Sequence, residues 1–141
     1  MNKKTFKPTF TRLQDNQVYV YFGSTVGRIE IPSLRKFGAK DGRIEGVNGQ
    51  CYAIPCYNYT GDFGSQPRKL IDKEFIQSKI KRLYVEAIKN PKKEYLIPYY
   101  GLDVVFTGYT KEDMGKLFSS YAIPNNILFD EDFNEFIKWI K

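Results

Sequence analysis

Residues 17–25 read Q-V-Y-V-Y-F-G-S-T, from Gln17 to Thr25. Six residues rich in β-branched and aromatic side chains predict a strand, and the small residues Gly23, Ser24 and Thr25 predict its abrupt end. Cys51 to Tyr57 (C-Y-A-I-P-C-Y) predicts a second strand. Pro55 limits its hydrogen bonding, so the strand is expected to end or leave the sheet there. Between them, Gly27 to Gly49 reads as a long glycine-punctuated loop with one helical turn at Ser33–Phe37. Lys69 to Lys89 predicts a helix, because Ile71, Phe75, Ile76, Ile80, Leu83, Tyr84, Ala87 and Ile88 recur at helical spacing; Asn90-Pro91 stops it. Tyr95–Tyr99 predicts a third strand. Thr110 predicts a helix cap with Glu112 and Asp113 in the first turn. Met114, Leu117, Phe118 and Tyr121 form the buried side of that helix. Asn126–Phe129 predicts a short fourth strand, and Asp130 the cap of a last helix whose inner side is Phe133, Phe136, Ile137 and Ile140.

Strands alternating with helices predict an α/β fold, with a mainly parallel sheet of about four or five strands packed by helices. Residues 1–16 read as an N-terminal arm and residues 17–141 as a single domain. Ligands of such sheets sit at the carboxyl ends of the strands. Here those ends are Gly23-Ser24-Thr25, the loop after Cys56, and Tyr100-Gly101.

Composition narrows the chemistry. The chain has 141 residues and no histidine. That removes the commonest general base and metal ligand, and with it Ser-His-Asp and Cys-His nucleophile systems. Carboxylate, tyrosine or lysine chemistry stays open. Cys51 and Cys56 fall on opposite faces of one strand, roughly 16 Å apart at about 3.3 Å per residue. They read as free buried thiols, too few for a structural zinc site. No metal and no cofactor is expected. No apolar run approaches a membrane span, and the start Met1-Asn2-Lys3-Lys4 lacks a signal-like apolar stretch, so a cytoplasmic location is expected. The net charge of +6 is uneven. Residues 68–93 carry nine Lys or Arg against Asp72, Glu74 and Glu86, while the part from Asp103 onward is net acidic. This basic flank is either a solvated helix face or a surface for a polyanion.

Three stretches could carry a ligand. Glycines at Gly23-Ser24-Thr25 let backbone amides approach phosphate oxygens, although neither a P-loop nor a dinucleotide fingerprint occurs. In Gly42–Ile54, Glu45 precedes Gly46 and could act as a general base, accept from a ribose hydroxyl, or be a loop carboxylate; Gln50 and Tyr52 share the stretch. At Tyr99-Tyr100-Gly101-Leu102-Asp103 a tyrosine pair could stack on a base or pack at the rim of the core.

Together these pieces resemble a family of small phage- and prophage-encoded proteins associated with macro-domain-like folds. The matching segments are Phe10–Leu13 leading to Val18–Thr25, then K-F-G-A-K-D-G (Lys36–Gly42) and E-G-V-N-G-Q-C-Y-A-I-P (Glu45–Pro55). T-G-Y-T-K-E-D-M (Thr107–Met114), with Gly108 and Tyr109, completes them. Thr25 stands where the family has Asn. The family's histidine between glycines is missing, and its glycine-cysteine-glycine turn is replaced by Tyr99-Tyr100-Gly101 with an apparent insertion at Leu102–Phe106. The resemblance implies a macro-type pocket for ADP-ribose or a related nucleotide on a scaffold with rebuilt loops.

The expected function is therefore a non-catalytic phage-type macro-like protein binding an ADP-ribose-like or other signalling nucleotide, with an anti-defence sponge in the host cell as one such role. A protein-binding inhibitor or structural phage protein using the rebuilt loops and tyrosines is the alternative. A nucleic-acid binder through the arm and helix is a second. An ADP-ribose-conjugate hydrolase with Glu45 or Asp103 as base is the enzymatic possibility.

Overall fold

The computed structural model describes residues 5–7, 12–25, 32–57, 71–99 and 109–138. In chain order the elements are β1 (Thr5–Phe6), β2 (Gln17–Ser24), a 3-10 helix (Pro32–Phe37), β3 (Gly46–Asn48), β4 (Cys51–Tyr57), α1 (Lys73–Lys89) and β5 (Glu94–Ile97). They are followed by α2 (Lys111–Phe118), β6 (Ile127–Asp130) and a one-turn α3 (Glu131–Asn134). The six strands form one sheet in the order β1-β6-β5-β2-β4-β3. Every pairing is parallel except β3 with β4.

The α/β class and mainly parallel sheet agree with the sequence reading, but two strands were not expected. Thr5–Phe6, inside the segment read as an arm, pairs with Phe129 and Asp130. Gly46–Asn48, read as loop, makes a short hairpin with Cys51–Ala53. Pro55 does not end β4, which runs on to Tyr57 with a register shift between Gly23 and Ser24 opposite it. β3 pairs no farther along β4 than Ala53, so past that residue β4 has an unpaired side, where a residue lacking N–H is tolerated. The main helix begins at Lys73, with Ile71 and Asp72 outside it; Lys69 and Leu70 lie beyond the described residues. The last helix is one turn, and Ile140 is also outside the described residues.

Period-two alternation buries β2 on both faces. Val18, Val20 and Phe22 join the larger core, while Tyr21 joins the smaller one. The larger core packs Tyr52, Ile54 and Cys56 of β4 and Tyr95 and Ile97 of β5 under α1 and α2. α1 supplies Ile76, Ile80, Leu83, Tyr84 and Ala87; α2 supplies Met114, Leu117 and Phe118. Phe118 is its centre, meeting Phe22, Phe129 and Phe133 edge-on with centroids 5.7–6.0 Å apart. This geometry sets positive ring edges against negative faces. The smaller core seats Leu34 and Ala39 against Tyr21, Cys51 and Ala53. Cys51 and Cys56 thus lie on opposite faces, both buried and free.

Parallel crossovers are right-handed, so crossovers travelling in opposite directions along a sheet lie on opposite faces. The 3-10 segment carries the chain from β2 toward β4 over one face; α1 and α2 carry it back toward β5 and β6 over the other. No helix among the described residues is long and apolar enough to cross a membrane.

Gly38 and Gly49 fix the 3-10 segment to the start of β4. A Cβ on Gly49 would lie 2.3 Å from the backbone of Gly38, at φ +64°. Gly42 is also left-handed, at φ +102°, but open space surrounds it. Gly49→Ala is therefore expected to cost at least about 2 kcal/mol, and Gly42→Ala only about 1, in urea unfolding.

Burial also raises several acidic groups. Cys51 is pushed from 9.0 to about 12, and Tyr95 from 10.0 to about 12. Cys56 and Tyr84 are raised in the same way. A group whose folded value lies above its unfolded one gives stability that is intact below the unfolded value. That stability is lost as pH rises through the folded value. Urea midpoints should stay flat from neutrality to about pH 8.5, then fall, each such group contributing at most about 1.4 kcal/mol per pH unit.

Candidate functional site

Reversal of the crossovers creates a switch point between β2 and β5. These neighbours run parallel with Gln17, Val18 and Tyr19 opposite Glu94, Tyr95 and Leu96. Their chains leave the carboxyl ends in opposite directions along the sheet, and open α/β sheets receive ligands at such a point. The β2 wall ends in Gly23-Ser24-Thr25, and the β5 wall in Pro98-Tyr99. The β2–β5 pairing ends at Tyr19 and Leu96; continued in that register, Tyr99 falls level with Phe22, one residue before Gly23.

Tyr99 is held firmly. Its ring packs on Phe133 with centroids 5.4 Å apart. Its backbone N–H points at Asp130 Oδ2, 3.4 Å away. Asp130, buried at the carboxyl end of β6, also accepts from the Asp132 N–H at 2.9 Å as the cap of α3. One carboxylate therefore joins the β5 end, the β6 end and α3. Lys111, the first residue of α2, places its ammonium 4.4 Å from the Tyr99 ring centre and 5.5 Å from that of Phe136. Cation–π attraction fixes such a group while leaving its N–H donors open to an anion. Among the described residues Lys111 has no carboxylate partner. Thr110 accepts from the Asp113 N–H at 3.1 Å, as its cap position predicts.

Tyr109 stands near the same rim. Its hydroxyl donates to the Ile71 carbonyl just before α1, and Lys73 lies 5.2 Å over its ring. Gly23 leaves room at the strand end: an added Cβ would meet only the Tyr21 ring, at an ordinary 3.5 Å. Tyr100, Gly101, Asp103 and Gly108 lie outside the described residues.

Glu45, Gly42, Gly46, Gln50 and Tyr52 lie away from the carboxyl ends of β2 and β5. Glu45 turns to the outside of α1, where Lys79 Nζ is 2.9 Å and Arg82 Nη1 3.2 Å from its oxygens. It ties the 3-10 segment's exit to α1, and this double ion pair leaves no geometry for a base or ribose contact at the strand ends. Gly42 sits in a turn and Gly46 opens β3, both with positive φ. Gln50 sits at the opposite end of the strands, its amide donating to the carbonyls of Gln14 and Gln17 at 2.6 and 2.8 Å. Tyr52 is buried in the larger core, where burial pushes its hydroxyl up to about 12.

Sequence reasoning missed Asp130 and Lys111 as rim residues. Asp130 is legible from sequence only as a cap, and Lys111 carries no local signal of its own. It also missed Asn48, a buried amide that bonds both the N–H and carbonyl of Lys40 and donates to the Tyr21 hydroxyl at 2.9 Å.

No protein-family model matches the chain, and no curated protein or solved structure matches it either.

Asp130→Ala should cost about 1–2 kcal/mol through the lost cap and the unpaired Tyr99 amide, read by urea unfolding. Asp130→Asn, which keeps an acceptor oxygen, should recover at least about half of that loss.

Proposed function

We propose that this chain is a non-catalytic, macro-domain-like binding protein whose crevice between β2 and β5 holds an ADP-ribose-like or other signalling nucleotide. The observation that carries the reading is the reversal of crossover direction between β2 and β5 in a mainly parallel sheet, with Gly23-Ser24-Thr25 at the carboxyl end of β2 and Pro98-Tyr99 just past β5. That is the place where such sheets take nucleotides. The chemistry of the rim agrees: glycine backbone for close approach, an aromatic ring at Tyr99, and the Lys111 ammonium beside it for a phosphate.

Binding without turnover fits the residue set. The chain has no histidine, Glu45 is committed to Lys79 and Arg82, and the rim carboxylate Asp130 is occupied by the Tyr99 and Asp132 N–H groups. A protein that binds a nucleotide and leaves it intact lowers its free concentration by mass action. In a phage-infected cell this would blunt a nucleotide alarm signal.

Thermal unfolding with ADP-ribose, NAD, cyclic dinucleotides and short oligonucleotides tests the reading. A ligand at about 100 times its Kd stabilises the folded state by about 2.7 kcal/mol, several degrees in Tm. One nucleotide of the panel should give such a shift, and Lys111→Gln should reduce it while leaving the unliganded Tm nearly unchanged. Silence across the panel would sink the proposal.

A further inference from the structure

α1 presents two unlike faces. Its inner face is satisfied by the core, yet its outer face keeps large apolar side chains in water: Val85 is 44% and Ile88 66% exposed. One helical turn apart, they form a ridge with a shallow groove on each side. The first groove, about 360 Å³, is lined by Tyr52, Lys81, Arg82, Val85, Glu86 and Lys89. The second, about 410 Å³, runs along Ile88, Pro91, Ile123 and Pro124. Val47 stands opposite Tyr52 in the β3–β4 pair and is 47% exposed, extending the apolar surface to the sheet edge.

Charge around this ridge has one dominant sign. Lys81, Lys89 and Arg82, the last paired with Glu45, line the first groove, and Lys92 and Lys93 follow Asn90-Pro91 after α1. The acid among them, Glu86, accepts from the Asn90 amide at 3.1 Å. A nucleic-acid backbone would use the cations and leave the apolar ridge in water. An amphipathic segment with acidic flanks would use both.

We propose that the outer face of α1 is a docking surface for an acidic amphipathic helix of a partner protein. Such helices lay apolar anchors at i, i+3, i+4 and i+7 into grooves of this kind, and acidic flanks complement the lysines. The surface is separate from the strand-end crevice. α1 runs back from the carboxyl end of β4 to the amino end of β5, and the second groove lies among residues just before β5 and β6. Nucleotide and partner can therefore be bound together, and failure of either proposal leaves the other standing.

The test is an amide NMR titration of the full chain with three probes. They are a synthetic amphipathic Glu/Leu helix of about 14 residues, a scrambled peptide of the same composition, and an oligothymidylate of about 20 nucleotides. The amphipathic peptide is expected to shift amides in Lys81–Lys89 and around Ile123, and to bind at least about tenfold more tightly than the scrambled one. Val85→Ser/Ile88→Ser and Lys81→Gln/Lys89→Gln should each weaken it at least about tenfold. All four positions are exposed, so the rest of the spectrum should stay in place and report an intact fold. The proposal is overturned if no peptide moves these amides, or if the scrambled peptide binds equally well. It is also overturned if the oligonucleotide binds there more tightly with no response to Val85→Ser/Ile88→Ser. Shifts of the same amides on concentrating the chain alone would assign the face to a second copy and overturn it as well.

Discussion

The double burial of β2 is the constraint on which the molecule rests. Its side chains alternate between a core under α1 and α2 and a core under the 3-10 segment. It also pairs along both edges, with β4 on one side and β5 on the other. A one-residue slip would exchange Val18, Val20 and Phe22 with Tyr19 and Tyr21, placing phenol hydroxyls under the helices and valines beside Asn48. The Tyr21 hydroxyl accepts from Asn48, so the register is fixed by a polar bond as well as by shape. With β2 held on four sides, its carboxyl end can carry Gly23, which has no side chain to pack.

Much of this could be read from the chain before the fold was known. β2, β4, β5 and β6 announce themselves because half-buried or buried strands need β-branched and aromatic residues. α1 and α2 announce themselves because one helical face must meet a core. What escaped was set by partners far away. Gly46-Val47-Asn48 carries glycine and asparagine, which signal a turn; it becomes a strand because Cys51–Ala53 folds back on it. Thr5-Phe6 is too short for any pattern and exists as a strand only through Phe129 and Asp130. Pro55 signals an ending, and the signal fails because β3 stops short of it.

The candidate site divides in the same way. A strand end followed by small residues is a local signal, so Gly23-Ser24-Thr25 could be singled out from sequence as the carboxyl end of β2. Glu45 was misjudged because its neighbours in sequence are turn residues, whereas its ionic partners lie 34 and 37 positions onward on α1. Asp130 and Lys111 gain their place from residues on other elements, Tyr99 above all. Electrostatic roles of this kind belong to pairs, and a single sequence shows only one member at a time.

The pairing of β1 with β6 has a bearing on how the chain is made. The earliest of the six strands sits beside the last one, and central β2 waits for β5, 77 residues onward, to cover one of its edges. During synthesis, at roughly 5–20 residues per second, β2 is exposed for several seconds with an apolar edge unpaired. Contacts so distant in sequence also slow spontaneous folding, because chain entropy must be lost before they form. The hairpin of β3 and β4 is local and can form early on one side of β2. The other side is where a nascent chain would profit from chaperone cover until β5 has left the ribosome.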